Sequence, residues 1–260
     1  MNDQPSPVLT PPAEAPAVTE KKVRNPKKIF VGCAMTETMR RETSEFWNKL
    51  KNGDVPGDWE FVTLRLSGYG LPKCCNVLTY LARQTDCGRF IRVDSDMDPT
   101  IENMSRLLSW DKLEMVSGVY PQKTLAQLRW VGNFSAPAGP NGLAPAYDFG
   151  GGFCSIDLDF LDRMVEHFPE TAFESEDDPV RGKIMHDLWS CGPVTDAWHG
   201  RTFSRYLTED FFLCYRARKM GVQVWMDTMC QVEHVGSIGF LKAWQQIKTL
   251  ENSSIFRAPV

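Results

Sequence analysis

The stretch RFIRVDSDMDP, residues 89–99, closes an apolar run with three acidic side chains spaced two apart: Asp94, Asp96 and Asp98. Residues two apart in a strand face the same side, so Asp94 and Asp96 share a face. Two carboxylates this close repel each other unless a cation lies between them. Mg²⁺ and Mn²⁺ prefer such oxygen ligands and leave coordination positions open for substrate phosphates. The spacing therefore predicts metal binding by Asp94 and Asp96, whereas Asp98, directly before Pro99, is interpreted as a helix cap.

Two later motifs carry further side chains of this kind. His234 ends a predicted short strand in EHVG, residues 233–236, where an imidazole could complete a Mn²⁺ site; a packed or surface histidine is the alternative. Glu209 and Asp210 open a predicted helix, with Thr208 as its cap. Either they only stabilise the helix dipole, or one of them is a general base for an acceptor hydroxyl.

A run of three glycines, residues 150–152, precedes Phe153. Glycines let a backbone approach a ligand closely, although a bulged strand or a hairpin turn would also use them. The aromatic residues Trp189, Trp198 and His199 raise a similar choice, because they could stack on sugar rings or bases, or anchor a loop in the core.

The elements that must position these residues alternate in a βαβαβαβ order. The strands are predicted at IFVGCA, WEFVTLRL, RFIRV and EMVSGVY, and the helices between them at residues 38–51, 71–84 and 99–110. This order predicts a parallel sheet with helices on both faces. Ligands bind such sheets beyond the carboxyl ends of the strands, where the acidic cluster lies.

The second half of the chain is less regular. Short strands and loops are predicted up to residue 149, then a helix over 157–168, the helix that Glu209 and Asp210 open, a strand VQVWMD and a last helix GFLKAWQQIKTLEN. Residues 169–207 are expected to be irregular, and a loop that long is usually a lid or a disordered segment. Residues 189–206 are interpreted as a lid over the site.

Composition bounds the class of protein. The 260 residues, 42 % of them hydrophobic, suffice for one large α/β domain or two small ones. A net charge of -4 argues against coating nucleic acid or an anionic membrane. No apolar run reaches the roughly 20 residues of a membrane span. The eight cysteines form no CxxC pair, which favours reduced thiols and a cytoplasmic location.

The N-terminus is expected to lie outside the fold. The first 20 residues are polar and rich in proline and alanine, as in a disordered leader. The basic stretch KKVRNPKK, residues 21–28, is interpreted as a solvated linker into the first strand.

Taken in order, these motifs resemble the GT-A fold glycosyltransferases, in particular the family-2-like enzymes. FIRVDSDM and TEDFFLCYRARKMGVQVWMDTMCQVEHVG carry the resemblance, which covers roughly residues 27–240. It implies an α/β GT-A fold, a Rossmann-like mixed sheet flanked by helices. The implied boundaries are a leader (1–26), a nucleotide-binding half (27–120), an acceptor and catalytic half (121–240) and a C-terminal helix and tail (241–260).

The resemblance also implies a role for each matching residue. Asp96 would be the direct metal ligand together with His234, and Asp94 would lie near the ribose and the water on the metal. Asp210 would be the catalytic base, with Glu209 beside it. Contacts to the donor would come from Cys33, Ala34, Met35, Asn76, Asp94, Ser95, Gly151, Gly152 and Phe153. Cys75 stands where an arginine usually precedes the asparagine, with Lys73 nearby.

The expected activity is a metal-dependent sugar transfer from a nucleotide-diphosphate sugar, with Mn²⁺ or Mg²⁺, to an acceptor hydroxyl. The acceptor could be a glycan, a lipid, a protein or a hydroxymethylated base in viral DNA. A nucleotidyltransferase of similar fold is the first alternative, although GCAMTETMRRE lacks the glycine run of its phosphate loop. A non-catalytic module that binds nucleotide sugars is the second.

Overall fold

The computed structural model describes residues 22–35, 39–125, 128–198, 201–236 and 239–252. Its helices are α1 Arg41–Asn52, α2 Leu71–Gln84, α3 Ile101–Leu108, α4 Leu158–His167, α5 Glu209–Lys219 and α6 Phe240–Asn252. Its strands are β1 Asn25–Met35, β2 Glu60–Ser67, β3 Cys87–Val93, β4 Met97–Asp98, β5 Met115–Val119, β6 Gly132–Phe134, β7 Leu143–Phe149, β8 Phe153–Asp157, β9 Ala172–Glu174, β10 Ile184–His186, β11 Gly192–Trp198, β12 Arg201–Leu207, β13 Val224–Gln231 and β14 Glu233–His234.

The large sheet is mixed, with eight strands in the order β2-β1-β3-β8-β5-β13-β7-β6. Strands β2, β1 and β3 run parallel, as do β5 and β13. Strand β8 lies antiparallel between β3 and β5, so the predicted all-parallel pairing of the first four strands is wrong at that point. The chain returns after the glycine run and inserts β8 there. A mixed sheet flanked by helices, the predicted fold class, is confirmed.

Helices cover both faces of this sheet, and the strand residues alternate between them. Phe30 and Phe90 point to the face that α2, α4 and α5 cover. Ile29 and Ile91 point to the face of α1 and α3. All seven residues of β3 are buried, so the strand that leads to the acidic cluster is fixed on both sides.

The basic stretch before the sheet is not a free linker. Strand β1 begins at Asn25, so half of KKVRNPKK belongs to the sheet. The Arg24 side chain is only 5 % exposed and pairs with Asp159 at 2.8 Å and with Asp162. These carboxylates explain why Arg24 is held against α4, although most of its described neighbours in the run are exposed.

Residues 169–207 are ordered where the structure describes them, contrary to the prediction of an irregular segment. A short 3₁₀ turn leads into the hairpin β9–β10, and β11 pairs with β12 from Gly192–Leu207 to Trp198–Arg201. His199, and the side chain of Trp198, lie outside the described part. The sequence does not predict β9 and β10 because they have only three residues each, nor β11 and β12, of seven residues each, because they lack a clean apolar alternation.

Two predicted helix caps are also corrected. Helix α3 is capped by Thr100, which forms a capping box with Asn103, whereas Asp98 lies in β4 opposite Glu233. Thr208 precedes α5 without a capping hydrogen bond to the backbone.

The predictions for the cysteines and for a membrane span can also be compared with the structure. All eight cysteines are free, and all but Cys191 are buried. Among the described residues, no helix combines the length and the apolar character that crossing a bilayer requires.

Candidate functional site

The acidic cluster and His234 meet because of a small two-stranded sheet. The chain turns after β3, and β4 pairs antiparallel with β14, with Met97 opposite His234. The backbone N–H of Val235 also donates to the Asp96 carbonyl, at 2.8 Å. Two segments far apart in sequence are thus held together at the carboxyl end of β3, where open α/β sheets bind their ligands.

Two side chains, Lys123 and His234, adjoin the Asp96 carboxylate at this position. Its Oδ2 lies 3.7 Å from His234 Nε2 and accepts a hydrogen bond from Lys123 Nζ at 2.5 Å. Burial would raise the pKa of Asp96, but His234 and Lys123 outweigh it and lower the pKa to about 2. Asp96 is therefore a carboxylate at neutral pH and a competent ligand for a cation.

His234 is oriented by the backbone of the segment that carries Lys123. Its Nδ1 lies 2.8 Å from the carbonyl oxygen of Pro121, and a carbonyl only accepts, so Nδ1 carries the proton. The edge of the Tyr120 ring packs against the imidazole at 5.3 Å between centroids. These contacts point Nε2 at Asp96, in the way that backbone partners orient metal-binding histidines.

Asp94 has a different partner, Arg92, from the same strand. The guanidinium donates from Nε at 2.8 Å and from Nη2 at 3.0 Å to the two carboxylate oxygens. Nη2 also reaches Glu209 at 3.4 Å, and the guanidinium lies 5.0 Å from the ring of Trp189. One buried cation thus joins the end of β3 to the first turn of α5.

The ionisation of both carboxylates reflects this burial. Burial raises the pKa of Asp94; Arg92 opposes that rise, whereas the charges of Asp96 and Asp210 add to it. Burial likewise raises the pKa of Glu209, again against Arg92. Glu209 faces Arg92 at 3.4 Å in this buried setting.

Asp210 lies next to Glu209 but contacts neutral groups. Its Oδ2 accepts from the Gly151 backbone N–H at 3.1 Å, and its Oδ1 from the Thr208 hydroxyl at 2.7 Å. The Phe211 backbone N–H adds a third donor at 2.8 Å. These donors hold the carboxylate in one orientation, as a general base requires.

The glycine run is explained by close internal packing. A Cβ at Gly150 would lie 2.2 Å from the Tyr120 hydroxyl, and one at Gly151 would lie 2.7 Å from Arg92 Nη1. Gly152 donates its N–H to the Tyr120 hydroxyl at 2.8 Å. Because these glycines lack side chains, Tyr120, Arg92 and α5 can pack close to the backbone of the run. Contact of the glycines with a donor sugar stays a prediction.

The other predicted donor contacts lie mostly beneath this surface. Cys33, Ala34 and Phe153 are at most 2 % exposed and belong to the core under the strand ends, whereas Met35 is half-buried. The Ser95 carbonyl accepts from Arg40 N–H at 2.9 Å, so it ties the acidic turn to α1. Contact of these residues with a nucleotide stays a prediction.

Asn76 and Trp189 form one structural unit. The Asn76 amide donates to Asp187 at 2.7 Å and accepts from the Trp189 backbone N–H at 3.0 Å. The Trp189 indole donates to Thr79 at 2.8 Å, and the ring is fully buried. Of the two interpretations of Trp189, the structure therefore selects the core anchor.

The structure adds Arg92, Lys123 and Tyr120 to the site. The charge of Arg92 inside the apolar run FIRV was the available signal, since a buried strand seldom carries an unpaired arginine. No sequence pattern singles out Lys123 or Tyr120, because both reach the site only through the fold.

The fit of a divalent cation can be judged from these contacts. Within the described ranges, no three His, Cys, Asp or Glu side chains are close enough to form a complete metal site. Asp96 and His234 offer two ligand atoms, while Arg92 occupies Asp94. Asp94 and Glu209 pair with Arg92, Asp96 pairs with Lys123, and Asp210 accepts only from neutral donors among the described residues, so four carboxylates stand against two cations, apart from His234. This fits one divalent cation whose other ligands come from substrate and water.

Comparisons with known proteins give only distant likenesses. No family model and no curated protein matches the chain. Among solved structures, A197 from STIV has a TM-score of 0.46 and 14 % identity over 80 % of this chain and 83 % of that chain. UDP-glucose pyrophosphorylase complexed with UDP-glucose has a TM-score of 0.36 and 10 % identity, over 76 % of this chain and 72 % of that chain. A 4-diphosphocytidyl-2C-methyl-D-erythritol synthase from Anaerococcus prevotii has a TM-score of 0.31 and 9 % identity. The match covers 59 % of this chain and 80 % of that chain. At such low similarity none of them assigns an activity.

Proposed function

We propose that the chain is a metal-dependent glycosyltransferase that moves a sugar from a nucleotide-diphosphate sugar to an acceptor hydroxyl. The observation that carries this proposal is the arrangement at the carboxyl end of β3. Asp96 lies beside His234, Arg92 joins Asp94 to Glu209, and the charges of Asp96 and Asp210 both act on Asp94. On one side of this site, Asp96 and His234 offer ligand atoms for a cation. On the other side, the Asp210 carboxylate is held in one orientation and has no cationic partner among the described residues.

The residues divide the reaction between them. Asp96 and His234 would hold Mn²⁺ or Mg²⁺, which when bound neutralises the diphosphate that leaves the sugar. Asp210 takes the proton of the acceptor hydroxyl as the acceptor oxygen bonds to the anomeric carbon and the bond to the diphosphate breaks. Arg92 keeps Asp94 and Glu209 in place, and Thr208 and Gly151 orient Asp210.

The contacts at the start of α5 supply Asp210 with the alignment that a general base needs. Three donors fix the carboxylate, so it loses little freedom when an acceptor is aligned against it.

The test is a panel of nucleotide-diphosphate sugars, measured for binding by titration calorimetry and for slow hydrolysis. Both are measured with Mn²⁺, with Mg²⁺ and with excess chelator. We expect hydrolysis of one or a few donors, lost with chelator and restored by Mn²⁺ at least as well as by Mg²⁺. Full activity in chelator would remove the metal from the proposal. Formation of a nucleotide sugar from a nucleoside triphosphate and a sugar phosphate would instead identify a nucleotidyltransferase.

A further inference from the structure

Lys123 and His234 share a single oxygen of Asp96. Lys123 Nζ lies 2.5 Å from Oδ2, and His234 Nε2 lies 3.7 Å from the same atom. The histidine proton is on Nδ1, toward the Pro121 carbonyl, so Nε2 presents its lone pair when the ring is neutral. A cation bound between Asp96 Oδ2 and His234 Nε2 would therefore lie within a few ångströms of the Lys123 ammonium, on the same carboxylate oxygen.

The two cations would compete for this oxygen. Like charges a few ångströms apart repel strongly, above all where protein replaces water on one side. A protonated lysine has no lone pair with which to join a metal site. Repulsion therefore favours departure of the ammonium from Asp96 when a divalent cation binds there.

The lysine can leave without unfolding its loop. The backbone around it is fixed, since Gln122 N–H donates to Arg129 at 2.8 Å and the Trp244 indole donates to the Thr124 carbonyl at 3.1 Å. The side chain is 37 % exposed and has a flexible four-carbon stem. Rotation about that stem moves the charge by several ångströms while the segment stays in place.

A ligand bound to the cation supplies a new partner for the displaced ammonium. A diphosphate that coordinates a metal at Asp96 and His234 places further phosphate oxygens within a few ångströms of that metal. Lysine binds phosphate oxygens as a point charge and needs no fixed geometry to do so.

We propose that Lys123 is a diphosphate-binding residue that also occupies the cation position of Asp96 in the metal-free protein. This inference rests on the proposed function, because the diphosphate belongs to the proposed donor. It makes two predictions of opposite sign. Loss of the Lys123 charge strengthens the binding of the metal alone and weakens the binding of a nucleoside diphosphate in the presence of metal.

The experiment compares wild type, Lys123→Met, Lys123→Arg and the control Lys112→Met. Lys112 is 92 % exposed and, among the described residues, forms an ion pair with the neighbouring Asp111 at 3.7 Å, so it tests the general effect of losing a surface lysine. Mn²⁺ alone is titrated first, followed by UDP, GDP and ADP at saturating Mn²⁺. Thermal unfolding of each variant confirms that it is folded.

We expect Lys123→Met to bind Mn²⁺ about tenfold more tightly, and the preferred nucleoside diphosphate about tenfold more weakly, than wild type. Lys123→Arg keeps a charge, so it should bind the nucleotide better than Lys123→Met does. Lys112→Met should match wild type in both titrations.

Other outcomes separate the two proposals. Equal affinities of wild type and Lys123→Met for Mn²⁺ and for nucleotide would overturn this inference and leave the proposed donor intact. Tighter Mn²⁺ binding with unchanged nucleotide affinity would overturn the diphosphate contact. A wild type that binds none of the nucleotides, with or without Mn²⁺, would overturn the proposed function itself.

Discussion

Arg92, near the end of the buried strand β3, donates two hydrogen bonds, 2.8 and 3.0 Å long, to the carboxylate of Asp94, which directly follows the strand. Its guanidinium is only 1 % exposed and continues to Glu209 at 3.4 Å. A bidentate pair of this kind fixes both orientation and charge. The predicted metal-side carboxylate and the predicted catalytic helix are therefore positioned by one residue.

Replacing Arg92 with lysine should separate these two groups. A lysine ammonium cannot make the two-pronged contact and reach Glu209 as well. We expect Arg92→Lys to weaken the binding of nucleoside diphosphate with Mn²⁺ by about tenfold or more, and to lower the free energy of unfolding by about 3 kcal/mol. Calorimetry and chemical denaturation measure the two effects.

Arg89→Lys is the matched control for that variant. Arg89 lies on the same strand and is also buried, but it donates to Ser155 and to the backbone carbonyls of Asp111 and Leu113. We expect it to lose stability and keep nucleotide affinity. If both variants lose affinity equally, Arg92 has no special role at the site.

The sequence predicted most elements because their patterns are local. The apolar run of β3 and the helical spacing of α2 follow from periods that any window of the chain reveals. The placement of β8 between β3 and β5 was missed because pairing across a sheet depends on how the chain returns, and a turn of glycines does not specify that.

The site divides in the same way. The motif spacing placed Asp94 and Asp96 on one strand end, but only the pairing of β4 with β14 brings His234 beside Asp96. The sequence does not predict a role for Lys123, because a single lysine in a loop forms no recognisable motif. The cap prediction failed at Asp98 although the real signal, Thr100 followed three residues later by Asn103, was present in the sequence.

The stability contributed by Asp96 should depend on pH in a defined window. Its pKa falls from the ordinary 3.8 to about 2 in the folded protein. A group with a depressed folded-state pKa adds stability above its unfolded-state pKa and loses it as the pH falls through the folded value. In chelator, Asp96→Asn should therefore be less stable than wild type by about 1 to 2 kcal/mol at pH 5 to 7.

That difference should shrink between about pH 4 and pH 2, because wild-type Asp96 becomes protonated there. Urea denaturation at pH 6, 4 and 3 measures it. A difference that stays constant down to pH 3 would show that His234 and Lys123 do not depress the pKa of Asp96.

Ion pairs of Arg205 should anchor the hairpin β11–β12 near its open end, where Gly192 pairs with Leu207. Arg205 lies 2.9 Å from Asp148 and 3.1 Å from Asp196, and Asp148 is fully buried on β7. Burial raises the pKa of Asp148 against the pull of Arg205 and Arg218, so the carboxylate depends on these partners. We expect Arg205→Met to destabilise the protein by about 3 kcal/mol and to expose residues 192–207 to protease.

Arg181→Met serves as the control for the hairpin, since its pair with Asp178 is 67 % and 81 % exposed and should contribute little. Limited proteolysis with mass analysis locates the cuts. Cleavage within the hairpin of folded wild type, unchanged by donor and metal, would contradict both the anchored open end and the lid predicted for residues 189–206.

Asp210 offers the sharpest test of mechanism, because its neighbour Glu209 shares its helix and its charge. Asp210→Asn keeps the shape and removes the proton acceptor. Its amide oxygen can still accept from Thr208 and Phe211, but its NH₂ group then faces the Gly151 N–H, which costs about 1 kcal/mol of stability. We expect Asp210→Asn to bind donor and metal with affinities near those of wild type, and to transfer the sugar more slowly by a factor of about a hundred or more.

Glu209→Gln should give the opposite pattern. It removes the charge that faces Arg92 at 3.4 Å and leaves the Asp210 contacts untouched, so we expect a loss of stability with transfer within about tenfold of wild type. Nucleotide release in the presence of acceptor measures transfer, and titration measures donor affinity.

Transfer by Asp210→Asn within a few-fold of wild type would reduce the residue to a helix-end carboxylate, because a base cannot be lost without slowing the step that uses it. A larger loss in Glu209→Gln than in Asp210→Asn would move the base to Glu209, and Arg92 would then be the group that tunes it.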